Sequence, residues 1–205
     1  MRSMLAVMRT VNPEQHARKR AKILQAAAEE FAVNGVDGTS TAGICRRAGI
    51  GSGTLFHYFP TKRDIVHALF RDDLARNAEV HPRVLRADAE QGFDLLVGHL
   101  LAELANPLTP GLAATAVLQA NRDPEFAEIL TTDTERTHEV LTGLLRRMAD
   151  DGGYRLALPA DRLARWIQKL VDAAYLMAGD PGFDAEVESA ELRRVIARLV
   201  GGPSA

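Results

Sequence analysis

Between Thr39 and Lys62 the chain reads TSTAGICRRAGIGSGTLFHYFPTK, and this stretch gathers the side chains best suited to meeting a polyanion. His57 and Tyr58 can donate to phosphate oxygens or base edges, and the ammonium of Lys62 is placed to pair with a backbone phosphate. Ser52, Gly53 and Thr54 are small residues that allow a partner to approach closely. Backbone N–H groups at the start of a helix at Ser52 would face phosphate without any side chain. The chemistry this set can perform is recognition, because it contains no activated nucleophile and no paired acid and base.

Two short helices, Thr41 to Ala48 and Ser52 to Tyr58, must position these groups. Gly49-Ile50-Gly51 joins them, and Gly49 lets the chain reverse without a Cβ clash. Ile44, Ala48, Ile50 and Leu55 supply apolar contacts that lock the pair. This is the spacing of a helix-turn-helix, which presents its second helix to a major groove. A longer helix precedes it, Pro13 to Asn34, with Asn12 as N-cap, an apolar stripe of Ile23, Leu24, Ala27 and Phe31, and Gly35 and Gly38 to end it. Pro60 stops the second short helix. Thr61 and Asp64 resemble a capping box and open a helix to about Asn77.

The charge distribution agrees. Net charge is −2 over 205 residues, yet residues 1–71 carry eleven Lys/Arg against five acids and the remainder carries 14 against 22. A basic head on an acidic body suits a polyanionic partner for the head alone. Residues 1–12 read as a disordered basic arm, 13–75 as the helix-turn-helix domain and 76–205 as a second, helical domain. That second part reads as helices Gln91 to Leu104, Gly111 to Gln119, Pro124 to Ala149 capped by Asp123, a helix to Ala178 capped by Asp161, and Ala185 to Val200. His81-Pro82 reads as a break. With abundant Ala and Leu and 5% aromatics, the fold class is all-α with about nine helices.

Thr39, Ile44-Cys45, Ala48-Gly49-Ile50-Gly51, Gly53-Thr54-Leu55-Phe56 and Tyr58-Phe59-Pro60-Thr61-Lys62 stand in the register of a known pattern. Over about residues 14–70 the chain resembles the DNA-binding domain of the tetracycline-repressor (TetR/AcrR-type) regulators. It departs from their pattern in having Gly51 where a hydroxyl N-cap is usual, Phe56 for a Tyr and Cys45 for a buried Ala. The resemblance implies phosphate contacts from Thr41, Thr54, Tyr58 and Lys62, and base-edge contacts from Ser52, Gly53, Phe56 and His57. It also implies double-stranded operator DNA as partner, pairing of two copies through the last two helices, and a small-molecule effector held among the middle helices.

For pairing, Leu163, Ile167, Leu170, Val171, Ala174 and Met177 line one helix, and Leu192, Val195, Ile196, Leu199 and Val200 line the next. These stripes serve equally as the chain's own core. For a pocket, polar residues interrupt apolar stripes at His99, Glu103, Thr134, Thr137, His138, Asp172 and Tyr175, with Trp166 as a floor. Each of these could instead be a satisfied core group or a solvated one. The apolar composition suggests a hydrophobic effector.

Other classes find little support. There is no nucleophile elbow, phosphate loop or HExxH motif, so the chain is not read as an enzyme and no cofactor or metal is implied. Cys45 is the one cysteine, so no internal disulfide is open to it. No apolar run is long enough to span a membrane, and the N-terminal stretch lacks the features of a signal peptide, so a cytoplasmic location is expected. The rival reading is a helical adaptor with the same fold that acts through protein contacts without binding DNA.

Overall fold

The computed structural model describes residues 12–202, and among them helices and their connections form, with no strand beyond an isolated bridge residue at Tyr154. The order is α1 (Pro13–Gly38), α2 (Thr41–Ala48), α3 (Ser52–Tyr58), α4 (Lys62–Ala78), α5 (His81–Arg86), α6 (Ala89–Ala102), α7 (Thr109–Ala120), α8 (Pro124–Gly152), α9 (Ala160–Met177) and α10 (Ala185–Val200), with a 3-10 turn at Glu103–Ala105. The nine expected helices are present, and α5 stands where a break was expected. The expected arm lies, but for Asn12, outside the described residues. No described helix is long and apolar enough to cross a membrane.

Local capping explains most boundaries. Asn12 accepts from the Glu14 and Gln15 amides, and Thr61 and Asp64 form a reciprocal capping box. Asp123 accepts from the Phe126 amide and Asp184 from those of Glu186 and Val187. Asp161 corrects the sequence reading: Pro159 occupies the N-cap position of α9, without a side-chain cap, and Asp161 lies within the first turn. The regular part of α1 stops at Gly35, whose φ of +63° suits glycine, before a further turn to Gly38.

Two apolar cores organise the helices. The first joins α1 to α4 through Ile23, Leu24, Ala27, Phe31, Ile44, Leu55, Phe59, Ile65, Val66 and Phe70. Phe126 of α8 is buried in this same core, edge-on to Phe70 with ring centroids 4.9 Å apart. The second core lies among α5, α6, α8, α9 and α10, with Leu96, Leu101, Leu141, Leu144, Leu145, Leu163, Ile167 and Ile196 almost fully buried. Leu163, Ile167, Val171, Ile196 and Val200 therefore belong to the chain's own core, one of the two uses their stripes allowed.

Candidate nucleic-acid interface

The geometry of the head follows from which residues α2 and α3 turn inward. Ile44, Cys45, Ala48 and Leu55 are buried, with Phe59 just beyond α3, and these fix the helices on α1 and α4. Gly49 adopts φ +62° and closes α2, its N–H bonding to Arg46 O. Arg47 ties α2 back to α1 through Glu29 at 3.0 Å and Glu30 at 2.7 Å. Glu29 is held below the usual carboxylate range, chiefly by the Gln25 amide and then by Arg47. Cys45 is a free, buried thiol packed in this core.

With those anchors placed, Ser52, Gly53, Phe56 and His57 are exposed and Thr54 and Tyr58 half-buried along the outward side of α3. Six of the eight residues expected to meet DNA thus share one short helix. Gly51 is the N-cap and offers no side-chain cap, and Ser52 is the first residue of the helix rather than its cap. Tyr58 packs against His16 of α1 at 4.5 Å between ring centroids and meets His57 edge-on at 5.5 Å. This stacking orients Tyr58 from an element the motif does not contain. Thr41 opens α2, where Ser40 supplies the cap by accepting from the Gly43 amide.

Lys62 sits at the head of α4, but its ammonium turns inward. Nζ donates to Val36 O at 2.5 Å and Thr39 O at 2.8 Å, which closes the junction of α1 and α2. An ammonium has three donors, so one remains for a phosphate. Lys22, which the sequence reading did not single out, adds a cation near this surface. It is exposed on α1, and its Nζ lies 3.6 Å from where a Cβ on Gly49 would stand, beside the turn itself. No local motif marks it, because the contact joins two separate helices.

The residues expected to line a pocket do not all come together. Tyr175 is half-buried and donates to Leu100 O at 2.6 Å; burial pushes its hydroxyl up, and Glu103 adds to the effect. His99 Nε2 is buried and has no hydrogen-bond partner. His99, Glu103 and Tyr175 therefore fall in one region, which also holds His81, Asp73, Asp133 and Arg136, none of them singled out from sequence. Burial pushes the Asp133 carboxyl up and the His81 imidazole down. Thr137 is buried and His138 half-buried on α8. Thr134 is exposed and donates back to Leu130 O, and Asp172 is exposed and pairs with Lys169 at 3.0 Å. Trp166 is 54% exposed on the outer side of α9, where it floors nothing. No cluster of metal-binding residues occurs among the described residues.

Comparison with known proteins matches residues 23–69 to the family described as bacterial regulatory proteins, tetR family. The HTH-type transcriptional repressor AcnR of Corynebacterium diphtheriae is 28% identical over 80% of this chain and 83% of its own length. The HTH-type transcriptional repressor KstR2 of Mycolicibacterium smegmatis is 28% identical over 76% of this chain and 77% of its own. Among solved structures, the transcriptional regulator FadR of Bacillus subtilis in complex with stearoyl-CoA superposes with a TM-score of 0.71 at 22% identity, covering 90% of this chain and 99% of that one. That likeness is one of fold.

Proposed function

We propose, from the match of residues 23–69 to the tetR family of bacterial regulatory proteins and the likeness to AcnR, that the chain is a member of that family, a transcriptional repressor that binds pseudo-palindromic operator DNA as a homodimer and is released by a small effector. The observation that carries this reading is the outward side of α3, where Ser52, Gly53, Thr54, Phe56, His57 and Tyr58 are all accessible above a fully buried Leu55. Residues 13–75 form the DNA-binding part in this reading and 76–205 the part that pairs and takes the effector, in a cytoplasmic protein. Thr41, Thr54, Tyr58 and Lys62 hold phosphates, while Ser52, Gly53, Phe56 and His57 face base edges. The names of AcnR and KstR2, both repressors, support the direction of regulation.

Pairing is assigned to α9 and α10. Their outer sides expose Trp166, Leu176, Met177, Val187 and Val195, each more than two-fifths accessible, as a pair of symmetric helices would require. Such a dimer sets its two α3 helices about one turn of DNA apart, roughly 34–36 Å. The effector is assigned to the region of His99, Glu103 and Tyr175, with Thr137 and His138 nearby on α8. The acyl ligand named for FadR supports a largely apolar molecule. An effector that prefers a conformation with the wrong head spacing lowers operator affinity in proportion to that preference.

Selection of binding sites from a pool of randomised duplexes tests the proposal. The expected product is a two-fold symmetric site whose half-sites are centred one helical turn apart. A pool with no enrichment after repeated rounds contradicts it and favours an adaptor acting through protein contacts.

A further inference from the structure

The joint between the two cores is made of two contacts of opposite character. On one side α7 crosses α1 with no space for a side chain between them. A Cβ on Gly111 would stand 2.0 Å from the Ala32 carbonyl oxygen, where non-bonded heavy atoms need roughly 3.5 Å. One turn further along α7, buried Thr115 donates its hydroxyl to Phe31 O at 3.2 Å. Gly111 and Thr115 thus hold two consecutive residues of α1 from one side of α7.

On the other side the contact is ionic. Arg63, His67 and Arg71 stand at four-residue intervals on α4, and their heads meet the first turn of α8. Arg63 donates two bonds to the Asp123 carboxylate, both at 2.6 Å, and lies 3.0 Å from Glu125. His67 Nε2 is 2.7 Å from Asp123 Oδ2, and Arg71 donates to Glu125 Oε1 at 3.0 Å. Asp123 also caps α8, so one carboxylate fixes both the start of a body helix and the position of α4. A cleft of about 380 Å³ lies beside this clamp, lined by Val36, Lys62, Arg63, Val66, Arg122 and Asp123. A backbone-to-backbone crossing cannot slide without losing its packing, whereas the half-exposed arginines and Glu125 can exchange partners with water at small cost around the largely covered Asp123 and His67.

We infer that Gly111 and Asp123 are positioning residues for DNA binding: the crossing at Gly111 is the pivot of the head, and the Asp123 clamp sets the angle at which α3 is presented. The inference rests on the operator-binding reading. Neither residue lies on α3, so each acts only through the placement of the head.

The test uses the full chain, fluorescence anisotropy on the duplex recovered by selection, and a salt series. Asp123→Asn keeps the helix cap, because Asn caps as well as Asp, but removes the charge that holds Arg63 and His67. Its far-UV circular dichroism should match the wild type while operator affinity falls about tenfold. The slope of log affinity against log salt should stay the same, since no phosphate contact is lost. Arg63→Gln added to Asp123→Asn should cause little further loss, because both changes open the same clamp. Gly111→Ala should weaken binding further; if that variant does not fold, the clamp variants decide the matter. Unchanged or higher affinity for Asp123→Asn, or an altered salt slope, overturns the inference and leaves the operator reading standing. A wild-type protein that recovers no site overturns the operator reading itself, and the inference with it.

Discussion

Lys62 closes the junction of α1 and α2 from a position proposed to hold a phosphate. Two of its three ammonium hydrogens bind the Val36 and Thr39 carbonyls, so Lys62→Met takes this donor from the Thr39 carbonyl and leaves the Val36 carbonyl with only the Thr39 amide. The expected cost is about 1–3 kcal/mol of stability, read as a lowered midpoint in urea, with binding weakened on every duplex alike. Wild-type stability together with wild-type binding would refute both roles. His57 is expected to behave differently, since it is exposed on α3, where the proposed reading assigns it to base edges. His57→Ala should shift preference among sequences, and equal loss on cognate and scrambled duplexes would show that it reads no base. These residues were visible in the sequence because type and spacing within one short motif were enough. The inward turn of Lys62 was not, because its acceptors lie 26 and 23 residues away.

At the scale of elements, the contact between α4 and α8 dominates. Arg63 first, and then His67, hold the Asp123 carboxyl far below the ordinary carboxylate range, and Arg71 chiefly lowers that of Glu125. A depressed carboxyl contributes stability that is present above its unfolded value, about 3.9 for Asp, and is lost as pH falls from there toward the folded value. The stability difference between wild type and Asp123→Asn should therefore be constant above about pH 5 and shrink below about pH 4 in acid titrations followed by circular dichroism. A difference that persists undiminished at pH 2 would contradict the ion pairing. Phe126 carries the apolar half of the same contact. Fully buried against Phe70 and His67, it should cost about 3–5 kcal/mol when changed to Ala, with the loss falling on the head as well as on α8. Protection of α1–α4 amides equal to wild type in hydrogen exchange would show that the head does not depend on it.

Helix starts at Asn12, Thr61 and Asp123 were legible because a cap spans only two or three residues. The crossing of Gly111 on Ala32 and the Arg63–Asp123 pair were not, because each depends on how distant helices pack, the second across 60 residues. Phe126 reads as part of a body stripe, yet tertiary packing places it in the core of the head. Trp166 illustrates the same limit: an aromatic in an amphipathic helix fits a cavity floor or an outer face, and only the assembled fold separates the two.

For the whole molecule, the proposed repressor combines a basic DNA-facing head, a paired body and a joint between them. The exposed side chains of α9 and α10 make pairing testable in isolation. Trp166→Glu should convert a two-chain species into a single chain by light scattering, and a dimer that survives unchanged would place the interface elsewhere. The most direct test of the central claim is the affinity of the wild-type protein for DNA from upstream of its own coding sequence, against a scrambled duplex, across a salt series. Selective binding is expected, with log affinity falling linearly with log salt as phosphate contacts release counterions. Equal affinity for both duplexes at every salt concentration would contradict it.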